Sequence, residues 1–105
     1  MANKKLFGLP PNAMTKICAI FRKYPAITRV VLYGSRAMGN YRPGSDIDLC
    51  IEAEDLELSQ FLSIATQVDD LLLPWKVDLV LKNKIDHADL LEHINRVGIE
   101  VYRSS

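Results

Sequence analysis

The sequence has no long hydrophobic run and no excess of charge of either sign. No apolar stretch approaches the roughly 18 residues that a membrane-spanning helix needs, so we expect no contact with a membrane. Two lysines stand near the start, but no apolar segment of the kind found in secretory leaders follows them. Lysine plus arginine and aspartate plus glutamate number 13 each. This balance gives no broad electrostatic footprint for DNA or RNA.

The sequence contains two cysteines. Cys18 and Cys50 stand in apolar segments and lack the C-x-x-C or metal-type spacing of redox and zinc motifs. We interpret them as buried reduced thiols, which favours a cytoplasmic protein. The length of 105 residues suffices for one domain, residues 1–105, with a single core.

Hydrophobic spacing predicts helices that alternate with strands in the order α-β-α-β-α-β-α-β. Predicted helices cover residues 12–23 (with Asn12 as N-cap), 35–39, 56–72 (stopping at Pro74) and a last segment marked by Leu90, Leu91 and Ile94. Predicted strands cover residues 27–33, 46–53, 75–81 and 98–102, and an irregular lead-in covers residues 4–11. This order predicts an α/β (α+β) fold in which a small mixed β-sheet is flanked by helices.

The most informative segment runs from Gly34 to Leu49. A Gly-Ser turn, Gly34-Ser35, directly follows a predicted strand, and such a turn lets backbone N–H groups approach a phosphate closely. Asp46 and Asp48 begin the next strand. Because residues i and i+2 of a strand point to the same face, both carboxylates are expected to face one ligand while Ile47 packs behind them.

A third carboxylate, Asp78, interrupts an otherwise apolar predicted strand. Burying it is costly unless it binds a metal ion or a partner. If the second and third strands are neighbours, three carboxylates meet beside the Gly-Ser turn, and oxygen-only ligands favour Mg²⁺ or Mn²⁺. Asp78 is then available as a general base or a metal ligand. Arg36 and Arg42 flank the turn and are expected to neutralise a triphosphate.

Each feature also has an ordinary structural interpretation. Gly34-Ser35 is compatible with a plain strand-to-helix turn, and Asp-x-Asp is compatible with a solvated strand edge. Asp78 is compatible with an edge strand facing water, and the two arginines with surface charges. The conjunction of these features, in this order and at this spacing, favours metal-assisted nucleotidyl transfer.

Gly34-Ser35, followed after ten residues by Asp46-Ile47-Asp48 and later by Asp78, resembles the signature of the DNA polymerase β-type nucleotidyltransferase superfamily. The compact length and the segment from Leu91 to Gly98 resemble the minimal nucleotidyltransferases, the short partners of helical HEPN-domain proteins in toxin–antitoxin pairs. The resemblance extends from about residue 12 to residue 102. It implies a nucleotidyltransferase fold, with catalytic metal ligands at Asp46, Asp48 and Asp78. The residues that we expect to bind the nucleotide are Gly34, Ser35, Arg36, Arg42 and Ser45.

The activity that the resemblance implies is transfer of a nucleoside monophosphate, AMP foremost, from ATP or another nucleoside triphosphate. The implied acceptor is a hydroxyl on a HEPN-type partner encoded by the adjacent gene. Larger superfamily members hold their acceptors with extra domains, so a chain this short is expected to work as a hetero-oligomer. Two alternatives remain open: an antitoxin that acts by occlusion without catalysis, and a nucleotidyltransferase acting on a small molecule.

Other conspicuous residues have ordinary interpretations. His87 and His93 lie six residues apart rather than at the i, i+4 spacing of metal ligands, so we expect surface or capping histidines. Trp75 is expected mostly in the core, with an exposed interface position as the alternative. Tyr33 and Tyr41 bracket the Gly-Ser turn and are candidates for stacking on a base. Tyr33, inside a strand, is expected to pack instead.

Overall fold

The structure, a computed structural model, describes residues 7–104 and has the alternating order that the sequence predicts. Its helices are α1 (Pro11–Phe21), α2 (Ser35–Met38), α3 (Leu58–Asp69) and α4 (Ala88–Val97), with a 3₁₀ turn at Lys82–Lys84. Its strands are β1 (Ile27–Tyr33), β2 (Ile47–Ala53), β3 (Val77–Leu81) and β4 (Ile99–Arg103). The first part of the predicted lead-in, residues 4–6, lies outside the described residues.

The four strands form one mixed sheet in the order β3-β2-β1-β4. Strand β1 pairs antiparallel with both β2 and β4, whereas β2 and β3 run parallel. A parallel pair needs a crossover connection, and α3 supplies it between β2 and β3. The predicted α+β fold with a mixed sheet flanked by helices is therefore confirmed.

The two faces of the sheet pack against different helices. One face packs against α1 and α3 in the larger core, to which the strands contribute Val30, Leu32, Ile47, Leu49 and Ile51. The opposite face packs against α4 and Ile85, around a small cluster of Val31, Tyr33, Cys50 and Ile94. Because side chains alternate along a strand, this second face also receives every other residue of β2 and β3. Part of it is left uncovered by helices.

Several boundaries differ from the sequence prediction. Helix α1 begins at Pro11 with Pro10 as its N-cap, so the prediction of Asn12 as N-cap is wrong; a proline at the first helical position is already preorganised. Helix α3 ends at Asp69 because a tight turn follows, in which the Leu72 N–H bonds the Asp69 carbonyl at 3.0 Å. No helix among residues 7–104 has the length and apolar character to cross a membrane.

Leu72 offers a test of this turn. Its side chain is 87% exposed and its φ of 54° lies in the left-handed region, where a non-glycine residue is strained. Leu72→Gly should therefore raise the free energy of unfolding by about 0.5–1 kcal/mol. Leu62→Gly, at an exposed position inside α3, should lower it by about 1 kcal/mol. Urea denaturation of both variants checks the contrast, which a gain in both or a loss in both would contradict.

Candidate active site

Three polar side chains form a row across the face of the sheet that α4 covers. Tyr33 on β1 is the register partner of Asp48 on β2, and Asp48 is the register partner of Asp78 on β3. The second and third strands are neighbours, which is the condition under which the sequence predicts that the three carboxylates meet. Asp46 lies just before β2, exposed and two residues from Asp48. The fold thus brings the three predicted carboxylates to one end of one face.

Asp48 is costly to ionise in this position. The pKa of Asp48 is raised above its ordinary value, first by partial burial and then by the charges of Asp78 and Asp46. His93 and Lys76 act in the opposite direction but do not cancel the rise. Burial and the nearby Asp48 and Asp78 charges also raise the pKa of Tyr33 to about 12, so its phenol stays protonated. The site carries surplus negative charge.

Gly34 joins β1 to α2 directly beside Asp48. Its φ of 74° and ψ of −157° belong to a region that side-chain-bearing residues avoid. A Cβ added at Gly34 would collide with Asp48 Oδ2, so the carboxylate occupies the space that a side chain would need. Ser35 then begins α2, which closes with the left-handed Gly39. The turn therefore depends on glycine for both its dihedral angles and its contact with Asp48.

Arg36 differs from its expected role. Its side chain is only 2% exposed, and its guanidinium donates hydrogen bonds to the carbonyls of Phe7 (2.8 Å), Pro43 (3.2 Å) and Ser45 (2.9 and 3.1 Å). Because these carbonyls take up its donors, the guanidinium binds the loop before Asp46 instead of facing a triphosphate. Burial lowers the pKa of Arg36.

Two aromatic rings lie beside the buried guanidinium of Arg36, and we call this group the buried cation site. The Arg36 guanidinium lies 5.2 Å from the ring centroid of Tyr41 and 5.8 Å from that of Trp75. Trp75 Nε1 also donates to the Pro43 carbonyl at 3.0 Å. Trp75 also packs, partly buried, against the larger core, as the sequence predicts. The sequence does not predict that Trp75 or Tyr41 contacts Arg36. Tyr41 belongs to the loop that leads to Asp46, and Trp75 contacts that loop from outside.

Ser45 and Arg42 close the same loop. The Arg42 N–H donates to Ser45 Oγ at 2.8 Å, and the Ser45 N–H donates to the Arg42 carbonyl at 3.0 Å. The Arg42 side chain is exposed. Of the two arginines, only Arg42 presents its charge to solvent near the carboxylates' end of the sheet.

The two histidines have different outcomes. His87 is the N-cap of α4 and accepts a hydrogen bond from the Leu90 N–H at 3.4 Å, as the capping interpretation predicted. His93 contacts Gly34 and Tyr33 at the candidate site, so its assignment to the surface or to a cap is wrong. The sequence shows His93 only as one residue of the last helix, and it does not show which part of the sheet that helix covers.

The donor chemistry fits a hard divalent cation that also binds substrate oxygens. Among residues 7–104, no group of three or more His, Cys, Asp or Glu side chains is close enough to hold a metal ion by itself. Asp48 and Asp78 nevertheless sit side by side, and Asp46 adds to their mutual repulsion. Magnesium commonly takes one or two carboxylates and completes its shell with phosphates. These residues suit that mode of binding.

Comparison with protein families gives one match. The family model described as polymerase beta, nucleotidyltransferase matches residues 15–105, which include all the predicted site residues. No protein of curated function matches the sequence.

Solved structures share the fold. A toxin–antitoxin complex with AMP-PNP is 24% identical, with a TM-score of 0.71 over 88% of this chain and 74% of that one. A tri-AMPylated Shewanella oneidensis HEPN toxin in complex with MNT antitoxin is 22% identical, with a TM-score of 0.65 over 88% and 71%. A mutant of the toxin–antitoxin MntA-HpeT is 25% identical, with a TM-score of 0.68 over 87% and 72%. This chain is similar to one component of each.

Arg36→Lys tests the buried cation site. An ammonium cannot reproduce the planar fork that serves three carbonyls, so at least one of them loses its partner. We expect the free energy of unfolding to fall by about 2–3 kcal/mol, measured by chemical denaturation. The matched exposed change, Arg42→Lys, should alter it by less than about 0.5 kcal/mol. Equal effects of the two changes would contradict the buried role.

Asp48→Asn tests the surplus charge. Because the folded protein raises the pKa of Asp48, the ionised carboxylate costs stability at pH values above that pKa, and the cost vanishes below the ordinary aspartate pKa of about 4. The variant should therefore be more stable than wild type near neutral pH, by about 1 kcal/mol. The gain should disappear as the pH falls below about 4.

Denaturation curves across this pH range provide the measurement for Asp48→Asn. Glu54→Gln, which neutralises an exposed carboxylate elsewhere, is the control and should show no such pH-dependent gain. A wild type more stable than Asp48→Asn at neutral pH would show that the carboxylate has a compensating partner.

Proposed function

Because this chain belongs to the polymerase β nucleotidyltransferase family, we propose that it transfers a nucleoside monophosphate, AMP foremost, from ATP or another nucleoside triphosphate to a hydroxyl of a helical HEPN-type partner. The observation that carries the proposal is the register of Asp48 with Asp78 beside the glycine turn at Gly34. Asp46, on the loop that Arg36 binds, completes the acidic set.

In this proposal the three carboxylates bind the divalent cation and activate the hydroxyl of the acceptor. Asp46 and Asp48 would bind Mg²⁺ or Mn²⁺, and Asp78 would either complete the coordination shell or take the proton from the attacking hydroxyl. The hydroxyl oxygen would bond to the α-phosphorus of the triphosphate, and pyrophosphate would leave. When bound, the cation neutralises the charge of the triphosphate. The exposed position of Asp78 at the edge strand leaves it accessible to an acceptor from outside the chain.

The turn and its loop bind the triphosphate. Gly34 permits close approach of the backbone, and Ser35 follows it on the same turn. The exposed Arg42 faces the phosphates, with Ser45 holding its backbone in place. Arg36 contributes indirectly, because its buried guanidinium fixes the loop that carries Arg42 and Ser45.

A protein acceptor is supported by the similar structures, which are complexes with a toxin. The AMP-PNP and tri-AMPylated complexes both contain a toxin beside the chain that resembles this one. The alternative of an antitoxin that acts by occlusion alone requires no acidic row. This chain has three carboxylates here, and the pKa of Asp48 is raised by burial and then by the charges of Asp78 and Asp46. Catalysis explains that cost, whereas simple occlusion does not.

The test is a transfer assay with each of the four labelled nucleoside triphosphates, Mg²⁺ and the HEPN-type product of the neighbouring gene. We expect label on the partner protein that depends on Mg²⁺. Asp46→Asn with Asp48→Asn should abolish it, and Asp78→Asn should lower it by about a hundredfold or more while nucleotide affinity is largely kept.

Glu54→Gln serves as the control variant and should transfer label at the wild-type rate. Absence of label on the partner with every base would contradict the proposal, and label on an aminoglycoside-type small molecule instead would favour the small-molecule alternative. If the double aspartate variant still protects cells from the partner as well as wild type at matched levels, occlusion is the function.

A further inference from the structure

His93 is a chemically versatile side chain beside the acidic row, and the proposed function gives it no role. It lies on α4, and its Nε2 accepts a hydrogen bond from the Gly34 N–H at 3.3 Å. Its ring meets the Tyr33 ring edge-on, with centroids 6.1 Å apart and an interplanar angle of 82°. One imidazole therefore contacts both residues of the junction between β1 and the glycine turn.

Gly34 needs such a partner more than other residues would. With no Cβ it can move among many backbone conformations, and it must hold one that keeps it against Asp48 Oδ2. A hydrogen bond to its N–H restricts the peptide plane between Tyr33 and Gly34. Restricting that plane also fixes where Ser35 begins α2.

We propose that His93 is a positioning residue, which holds the Gly34-Ser35 turn in its nucleotide-binding conformation through the Gly34 N–H. This inference rests on the proposed function, since the turn is taken to bind the triphosphate. The imidazole acts through the backbone and does not touch the nucleotide. To accept this bond it keeps a lone pair on Nε2, so its neutral form carries the proton on Nδ1.

Packing alone does not account for a histidine at this position. The adjacent Ile94 is 3% exposed and already fills the space between α4 and the apolar cluster of Val31, Tyr33 and Cys50. His93 is only half-buried and adds little apolar contact there. What it adds is an acceptor placed at the first peptide of the turn.

Two variants separate the acceptor from the ring. His93→Phe keeps an aromatic ring against Tyr33 but removes the acceptor, whereas His93→Gln keeps an acceptor of similar reach and removes the ring. Calorimetric titration with ATP and Mg²⁺ should show a Kd raised about five- to tenfold in His93→Phe, the scale of one lost hydrogen bond. In His93→Gln the Kd should stay within about twofold of wild type.

His87→Phe is the matched control on the same helix. It removes the N-cap of α4 and should lower the thermal stability, yet it should leave the Kd for ATP unchanged because it does not contact Gly34. A wild-type Kd in His93→Phe would overturn the proposal. So would equal losses of affinity in His93→Phe and His87→Phe, since helix stability would then explain both.

Amide hydrogen exchange of the wild-type chain gives a reading that needs no variant to fold. The Gly34 amide should exchange slowly because His93 accepts its proton, and exchange at the rate of an unprotected amide would overturn the contact. Failure of the wild-type chain to bind ATP would instead refute the proposed function, while this exchange measurement still judges the role of His93.

Discussion

The register between β1, β2 and β3 is the constraint on which the site depends. Side chains alternate along a strand, so a slip of one residue between β2 and its neighbours would turn Asp48 into the larger core and bring Leu49 to the surface. The hydrophobic demand of Ile47, Leu49 and Ile51 for that core prevents the slip. The same burial that stabilises the sheet thus places Asp48 on the opposite face, against which α4 packs.

Along the strands of this face, successive cross-strand rows of side chains differ in polarity. Behind Tyr33, Asp48 and Asp78 comes the apolar row of Val31, Cys50 and Val80, against which Ile94 of α4 packs. Behind that row, Glu52 pairs with Arg29 at 3.1 Å and with Lys82 at 3.5 Å. The apolar row separates Glu52, which is paired with basic side chains, from Asp48 and Asp78, which repel each other. Within the described part of this face, surplus negative charge therefore lies at the end near α2 and its loop.

The sequence predicted the elements well because each has a local signal, such as the β-branched run of β1 or the periodic leucines of α3. Alternation in a strand also predicted that Asp46 and Asp48 share one face, whereas their meeting with Asp78 depended on the adjacency of β2 and β3. The sequence prediction failed where tertiary contacts decide. Arg36 looked like a phosphate ligand because sequence cannot show that its donors meet backbone carbonyls. His93 looked ordinary because its partner, the Gly34 N–H, lies 59 positions away.

The hydrogen bond from Trp75 to the Pro43 carbonyl has a spectroscopic consequence. The chain contains one tryptophan, and its indole rests on the loop that delivers Asp46, close to the guanidinium of Arg36. Indole emission depends on the polarity and the charges around the ring, so movement of this loop should alter the intrinsic fluorescence without any added label. The protein therefore contains its own optical reporter of loop order, located beside the acidic row.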